Sequence, residues 1–215
     1  MKAVVFDMDG VLLDTERVMK KAWEAAALEI GFERYKEAGD LAMGRNRAGV
    51  RQLFAESFPE VDFEDFHSRY SEGTQKALKE NGVPLKEGVI EALEIIKSKG
   101  YVIAVATSTH AEHALPQLRE VGITDYASVI MTGDTVKNGK PHPEIYLKAC
   151  EKIAVPPEEA YGAEDSSNGI RSAHAAGMRA VFLPDLATIP EEYKKDIDEE
   201  YATILDFAKS LERAD

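Results

Sequence analysis

The chain has 215 residues, 44% hydrophobic and 30% charged, an ordinary composition for a globular protein with a sizeable core. Its formal net charge of -13 repels polyanions, which argues against nucleic acid and anionic membrane surfaces as partners. The one cysteine, Cys150, rules out an intrachain disulfide and reads as a small buried hydrophobe on a helix.

Residues 2–6 (KAVVF) are short and β-branched and run into Asp7, which predicts a fully buried strand of a parallel sheet. The next stretch, 15–82, has no strand candidate. It reads as helices over 17–30, 48–56 and 63–81, with Trp23 and Phe54 as core of that helical unit. An all-helical insert follows, entered near Asp14-Thr15 and left through 82–88, and these two crossings are read as hinges. The expected division is an α/β core of 1–14 and 83–215 and a cap of 15–82.

After the insert, strands and helices alternate. A helix over 89–99 carries Val89, Leu93 and Ile96 at helical spacing and stops at Gly100. The strand 101–106 ends at Thr107, and a helix over 111–121 stops at Gly122. A third strand covers 128–131, and the helix 143–153 opens with a proline. Strand 160–163 ends at Glu164-Asp165, helix 167–176 stops at Gly177, and strand 180–183 ends at Pro184-Asp185. The acidic stretch 191–200 reads as a solvated face. This rhythm predicts a doubly wound, Rossmann-like parallel sheet. With no signal peptide and no apolar run of membrane-spanning length, a cytoplasmic protein is expected.

Open parallel sheets bind ligands at the carboxyl ends of their strands. Here those ends hold Asp7 and Asp9, then Thr107 and Ser108, then Glu164 and Asp165, with Lys140 in the loop after the third strand. One such residue alone is ordinarily a cap or a turn, and a lone Lys140 before Pro141 reads as a surface lysine. Four segments aiming polar groups at one edge make a site. Several carboxylates at one spot repel unless a cation neutralises them. An all-oxygen set suits a hard ion, Mg2+, and the absence of His or Cys at the strand ends argues against zinc. The same ion answers the charge problem of an anionic substrate. His110 and His142 read as loop or helix-start residues.

The segment Phe6-Asp7-Met8-Asp9-Gly10-Val11-Leu12-Leu13-Asp14-Thr15 resembles the first signature of the haloacid dehalogenase-like superfamily. Thr107-Ser108 resembles its second, Lys140-Pro141 its third, and Glu164-Asp165-Ser166 its fourth. Order and spacing hold across the whole chain, and the insert resembles the small cap of the β-phosphoglucomutase-like subgroup. The resemblance implies Asp7 as nucleophile and Asp9 as general acid and then base. It implies that Thr107 and the amides of Ser108 and Thr109 bind the phosphoryl oxygens, and that Lys140 balances their charge. It also implies Mg2+ held by Asp7, Asp165 and the Asp9 backbone carbonyl, with Glu164 bound directly or through water. Gly10 would allow a sharp turn toward the cap.

Substrate choice is expected on the cap, at Met43-Gly44-Arg45-Asn46-Arg47, where Gly44, Arg45, Asn46 and Arg47 would meet an anion or a sugar hydroxyl. Two positions depart from the mutase pattern: Met19 stands where those mutases carry a histidine, and Met43 where they carry a lysine. These losses favour a phosphatase of a small phosphorylated metabolite, a sugar phosphate, over a hexose-phosphate mutase. A dehalogenase leaves Asp9 and the metal ligands unused. A receiver-like or non-catalytic phosphoryl-binding protein is the reading from outside enzymology, and it fits poorly with Asp7, Lys140 and Asp165 all in place. A monomer is expected.

Overall fold

A computed structural model of the chain describes residues 1–42, 45 and 47–214. The core is a six-stranded, all-parallel sheet in the order β3-β2-β1-β4-β5-β6. Its strands are β1 (Ala3–Phe6), β2 (Val102–Ala106), β3 (Val129–Met131), β4 (Ala160–Glu164), β5 (Arg179–Phe182) and β6 (Glu199–Glu200). The helices are α1 (Thr15–Glu29), α2 (Tyr35–Ala42), α3 (Arg47–Ser57), α4 (Phe63–Asn81), α5 (Val89–Ser98), α6 (Ala111–Glu120), α7 (Glu144–Lys152), α8 (Ser167–Ala175) and α9 (Ile204–Ser210).

The two-residue period of a strand assigns its side chains to the two faces of the sheet. Val4 and Phe6 of β1, with Ile103 and Val105 of β2, pack against Leu93 and Ile96 of α5, Leu118 of α6 and Phe207 of α9. Ala3 and Val5, with Ala104 and Ala106, pack instead against Ile145, Tyr146 and Cys150 of α7 and Ile170 of α8. Both faces are thus covered, which is why these strands read as unbroken apolar runs.

Three elements differ from the sequence expectation. Helix α2 is short and polar, with Ala38 its one buried residue, so it leaves almost no apolar stripe to read. Strand β6 lies inside the acidic stretch taken for a solvated face. Its two glutamates carry no strand signature, and pairing with β5 makes the strand. Helix α9 spans seven residues after a Thr203 cap and packs Ile204, Phe207 and Ala208 into the core.

The segment from α1 to α4 holds its own apolar cluster around Phe32, Phe54, Phe58 and Phe66. Trp23 packs edge-on against Phe66 at 4.6 Å between ring centres. The two connections joining this segment to the sheet are bonded to each other. Asp14 N donates to Pro84 O at 2.9 Å, and Lys86 N donates to Leu12 O at 3.0 Å.

Candidate active site

Strand β1 is central, and the chain passes outward through β2 and β3 before returning to place β4 on the other side of β1. That reversal opens a crevice at the carboxyl ends of β1, β2 and β4. Asp7 follows Phe6 there, and its amide continues the ladder to Ala163 O at 2.9 Å. The same register sets Glu164 and Asp165 beside it. Asp7, Glu164 and Asp165 each offer an oxygen, and these atoms lie within 4.8 Å of one another.

Lys140 is buried in this group rather than lying on the surface. Its Nζ donates to Asp7 Oδ1 at 2.6 Å and to Ala106 O at 2.9 Å, and it pairs with Glu164 Oε1 at 2.6 Å. All three ammonium donors therefore have partners. Burial alone would push this amine down, but the charges of Asp7 and Glu164 overcome that and hold it above its ordinary value. The ring of Tyr146 lies 5.2 Å from the ammonium, and the Tyr146 hydroxyl donates to Glu164 Oε1.

Two glycines make room for the acids. A Cβ on Gly169 would stand 1.9 Å from the Glu164 carboxylate, and one on Gly10 would stand 2.2 Å from Asp165 Oδ2. Gly10 also has φ +81°, so this position needs glycine for its backbone and for the acid it faces.

The electrostatics call for a cation. Burial raises Asp165 well above its ordinary range, and the charges of Glu16, Asp7 and Glu164 raise it further. Burial, then Asp7, raises Asp9, against the hydroxyls of Thr15 and Thr109. Asp165 Oδ2 and Glu164 Oε2 are buried without a hydrogen-bond partner among the described residues. Clustered carboxylates with orphaned oxygens and no soft ligand among them fit a hard divalent ion.

Asp9 points its carboxylate at two threonines. Thr15 Oγ1 donates to Oδ1 at 2.5 Å, and Thr109 Oγ1 donates to Oδ2 at 2.8 Å. Thr107 is buried at the end of β2, and its hydroxyl accepts the Thr109 amide at 3.0 Å. That amide, expected to face a ligand, is thus engaged within the loop. Ser108 is exposed and lines a cleft of about 350 Å³ shared with Arg47, Arg51, His110, Lys137 and Lys140. Arg45 is exposed, and Arg47 and Arg51 form the arginine wall of the cleft. Gly44 and Asn46, with Met43, lie outside the described residues. His110 precedes α6, and His142 Nδ1 accepts the Glu144 amide, as expected of helix-start residues.

Two acids of this region went unread in the sequence. Glu16 on α1 and Asp185 after β5 come within 4.8 Å of Asp165. Asp185 also ends a strand and so shared the signal of the other four segments. Its Oδ1 receives Arg17 at 2.9 Å and Lys86 at 2.6 Å. Burial, with Asp185 and Asp7 close by, pushes Glu16 up to about 7.

A crevice at this switch point, with clustered acids and a buried lysine, marks a doubly wound α/β protein with a candidate catalytic centre. The chain belongs to the haloacid dehalogenase-like hydrolase family, whose pattern matches residues 4–183. It is 40% identical to the phosphorylated carbohydrates phosphatase of Thermotoga maritima, over 85% of this chain and 84% of that protein. It is 31% identical to the phosphoglycolate phosphatase of Thiobacillus denitrificans, over 85% of this chain and 83% of that one. Among solved structures, CbbY of Rhodobacter sphaeroides in complex with xylulose-(1,5)-bisphosphate superposes with a TM-score of 0.78 at 27% identity, covering 96% of both chains.

Proposed function

We propose that the protein is a magnesium-dependent phosphatase that hydrolyses a small phosphorylated sugar through an aspartyl-phosphate on Asp7. The observation that carries this reading is Lys140, buried with its ammonium 2.6 Å from Asp7 Oδ1 beside a carboxylate cluster at the switch point. The amine lies where it would offset the negative charge that gathers on the group transferred to Asp7.

In the first step an Asp7 oxygen forms a bond to phosphorus while the bond from phosphorus to the ester oxygen breaks. Asp9, whose carboxyl burial pushes above its ordinary range, gives its proton to that oxygen, and the alcohol leaves. In the second step water attacks phosphorus, Asp9 takes its proton, and phosphate departs from a regenerated Asp7. Thr107 and Ser108 border the space for the phosphoryl oxygens. Asp7, Asp165 and the Asp9 carbonyl would hold Mg2+, with Glu164 bound directly or through water, and the ion would neutralise the phosphoryl charge facing Asp7.

The name of the Thermotoga relative and the bisphosphate bound by CbbY support a sugar phosphate as substrate. Arg47, with Arg45 and the loop 43–46, would select the remainder of that molecule from a cap of 15–82. Met19 on α1 leaves no imidazole at the position a mutase would use, which favours transfer to water. No helix among the described residues is long and apolar enough to cross a membrane. The test is phosphate release from a panel of sugar phosphates with Mg2+. Asp7→Asn is expected to lower the best rate by more than about three orders of magnitude. Full activity in that variant, or no release by the wild type, ends the proposal.

A further inference from the structure

We infer that Thr109 is a positioning residue for the general acid: its hydroxyl fixes the Asp9 carboxyl from the sheet side, so that the acid faces the leaving oxygen. The inference rests on the phosphatase reading above and adds a residue to it.

Asp9 is three residues beyond β1 and sits in a loop rather than in a strand, so its carboxyl needs an outside hold. It has two. Thr15 Oγ1 reaches Oδ1 from the first residue of α1, and Thr109 Oγ1 reaches Oδ2 at 2.8 Å from the loop after β2. Thr15 belongs to the crossing into the helical segment, as the first residue of α1. Thr109 belongs to the sheet edge, and its backbone is fixed on both sides. Its amide donates to Thr107 Oγ1 at 3.0 Å, and its carbonyl accepts the Gly133 amide at 3.0 Å. Gly133 itself sits so close that a Cβ there would stand 2.2 Å from Ser108 O, which seats the β2 loop on the loop after β3. A β-branched side chain on such a backbone has few rotamers, so the hydroxyl is held where it is.

A carboxyl group has about four acceptor directions, and the two threonines use two of them. The others remain for the proton that the acid delivers. In the first step that proton passes from the Asp9 carboxyl to the ester oxygen as the phosphorus–oxygen bond breaks. Thr109 neither gains nor loses a proton. Its part is to hold the orientation, on which the benefit of a general acid depends.

The test separates this role from mere structural support through the leaving group. A p-nitrophenolate departs without a proton, whereas a sugar alkoxide needs one. The value of kcat/KM covers only the steps up to loss of the leaving group, so the later use of Asp9 as base does not enter it. Thr109→Val keeps the shape and removes the hydroxyl, and it is expected to lower kcat/KM about 10- to 100-fold for the best sugar phosphate. For p-nitrophenyl phosphate the same variant is expected to stay within about threefold of wild type, and Thr109→Ser is expected to restore the sugar phosphate rate. Equal losses on both esters, or no loss on either, overturn the inference while leaving the phosphatase reading intact. A wild type that hydrolyses neither ester with Mg2+ overturns that reading and this one with it. Melting temperatures of both variants, read alongside, attribute an equal loss to damaged folding, which counts against the positioning role.

Discussion

At the carboxyl ends of the strands, charge is buried and locked; on the helical segment facing them, charge lies out in water. Lys140 is 7% exposed and has a partner for every N–H. Across the cleft, Arg47, Arg51 and Glu64 form ion pairs with side chains more than half exposed. The distances are alike, but the energetics are not. A buried pair interacts in a medium of low dielectric constant, and losing one partner strands the other. An exposed pair is screened by water and by salt and contributes little. The sheet edge therefore holds chemistry that must not vary, and the helical wall holds contacts that can be exchanged with a ligand's.

The sharpest way to break this contrast is Lys140→Met, which fills the space but leaves Asp7 and Glu164 facing each other uncompensated. Activity is expected to fall at least about 10²- to 10³-fold, as for loss of a charge-stabilising donor at a reacting group. In the metal-free protein, folding stability is expected to fall by about 3–5 kcal/mol, the typical result of removing one partner of a buried pair. Urea unfolding with and without Mg2+ measures the second effect. An unchanged midpoint without metal would mean that the buried carboxylates do not depend on the amine.

Next in size is Phe54→Ala. Phe54 is 1% exposed and touches the rings of Trp23, Phe32, Phe58, Phe63 and Phe66. Its loss opens a cavity expected to cost about 3–5 kcal/mol. All of those contacts lie in the helical segment. Turnover of p-nitrophenyl phosphate at low temperature is therefore expected within about threefold of wild type, as for an independent site. A collapse of that activity would show that the two regions fold and act as one unit.

The same contrast explains what could be read in the sequence. Strand ends were legible because an apolar run that stops at Asp7, Thr107 or Glu164 marks both an element and a ligand edge. Helix α4 was legible as a helical run over 63–81, and the structure adds its Asp62 cap, which accepts from the amides of Glu64 and Asp65. Helix α2 was not, since its fold comes from packing Ala38 and the neighbouring turns rather than from a periodic stripe. At the site, Lys140 and Glu164 were both expected, but the ion pair between them was not read. Nor were Glu16, Asp185 and the Thr109 hydroxyl placed. These contacts join strand ends to segments remote in sequence, and no spacing rule covers them. The Glu64 contacts were hidden for the same reason, although Arg47 itself was singled out.

Glu64→Gln tests the exposed side of the comparison and carries the smallest expected effect. Glu64 Oε2 receives Arg47 at 2.8 Å, and Oε1 pairs with Arg51 at 2.5 Å, so one carboxylate restrains both arginines of the cleft wall. Gln keeps the length and removes the charge. Because all three side chains are solvated, stability is expected to stay within about 0.5 kcal/mol of wild type. The arginines, freed from a competing anion, are expected to bind a phosphorylated sugar more tightly, so that KM falls about threefold at low salt with kcat unchanged. The gain is expected to shrink as salt rises, because screening weakens an exposed charge and leaves the buried site untouched. Steady-state kinetics at two salt concentrations decide it. A KM that does not move in either would mean that Arg47 and Arg51 do not reach the substrate, and selection would then fall to the sheet-side wall at Ser108, His110 and Lys137.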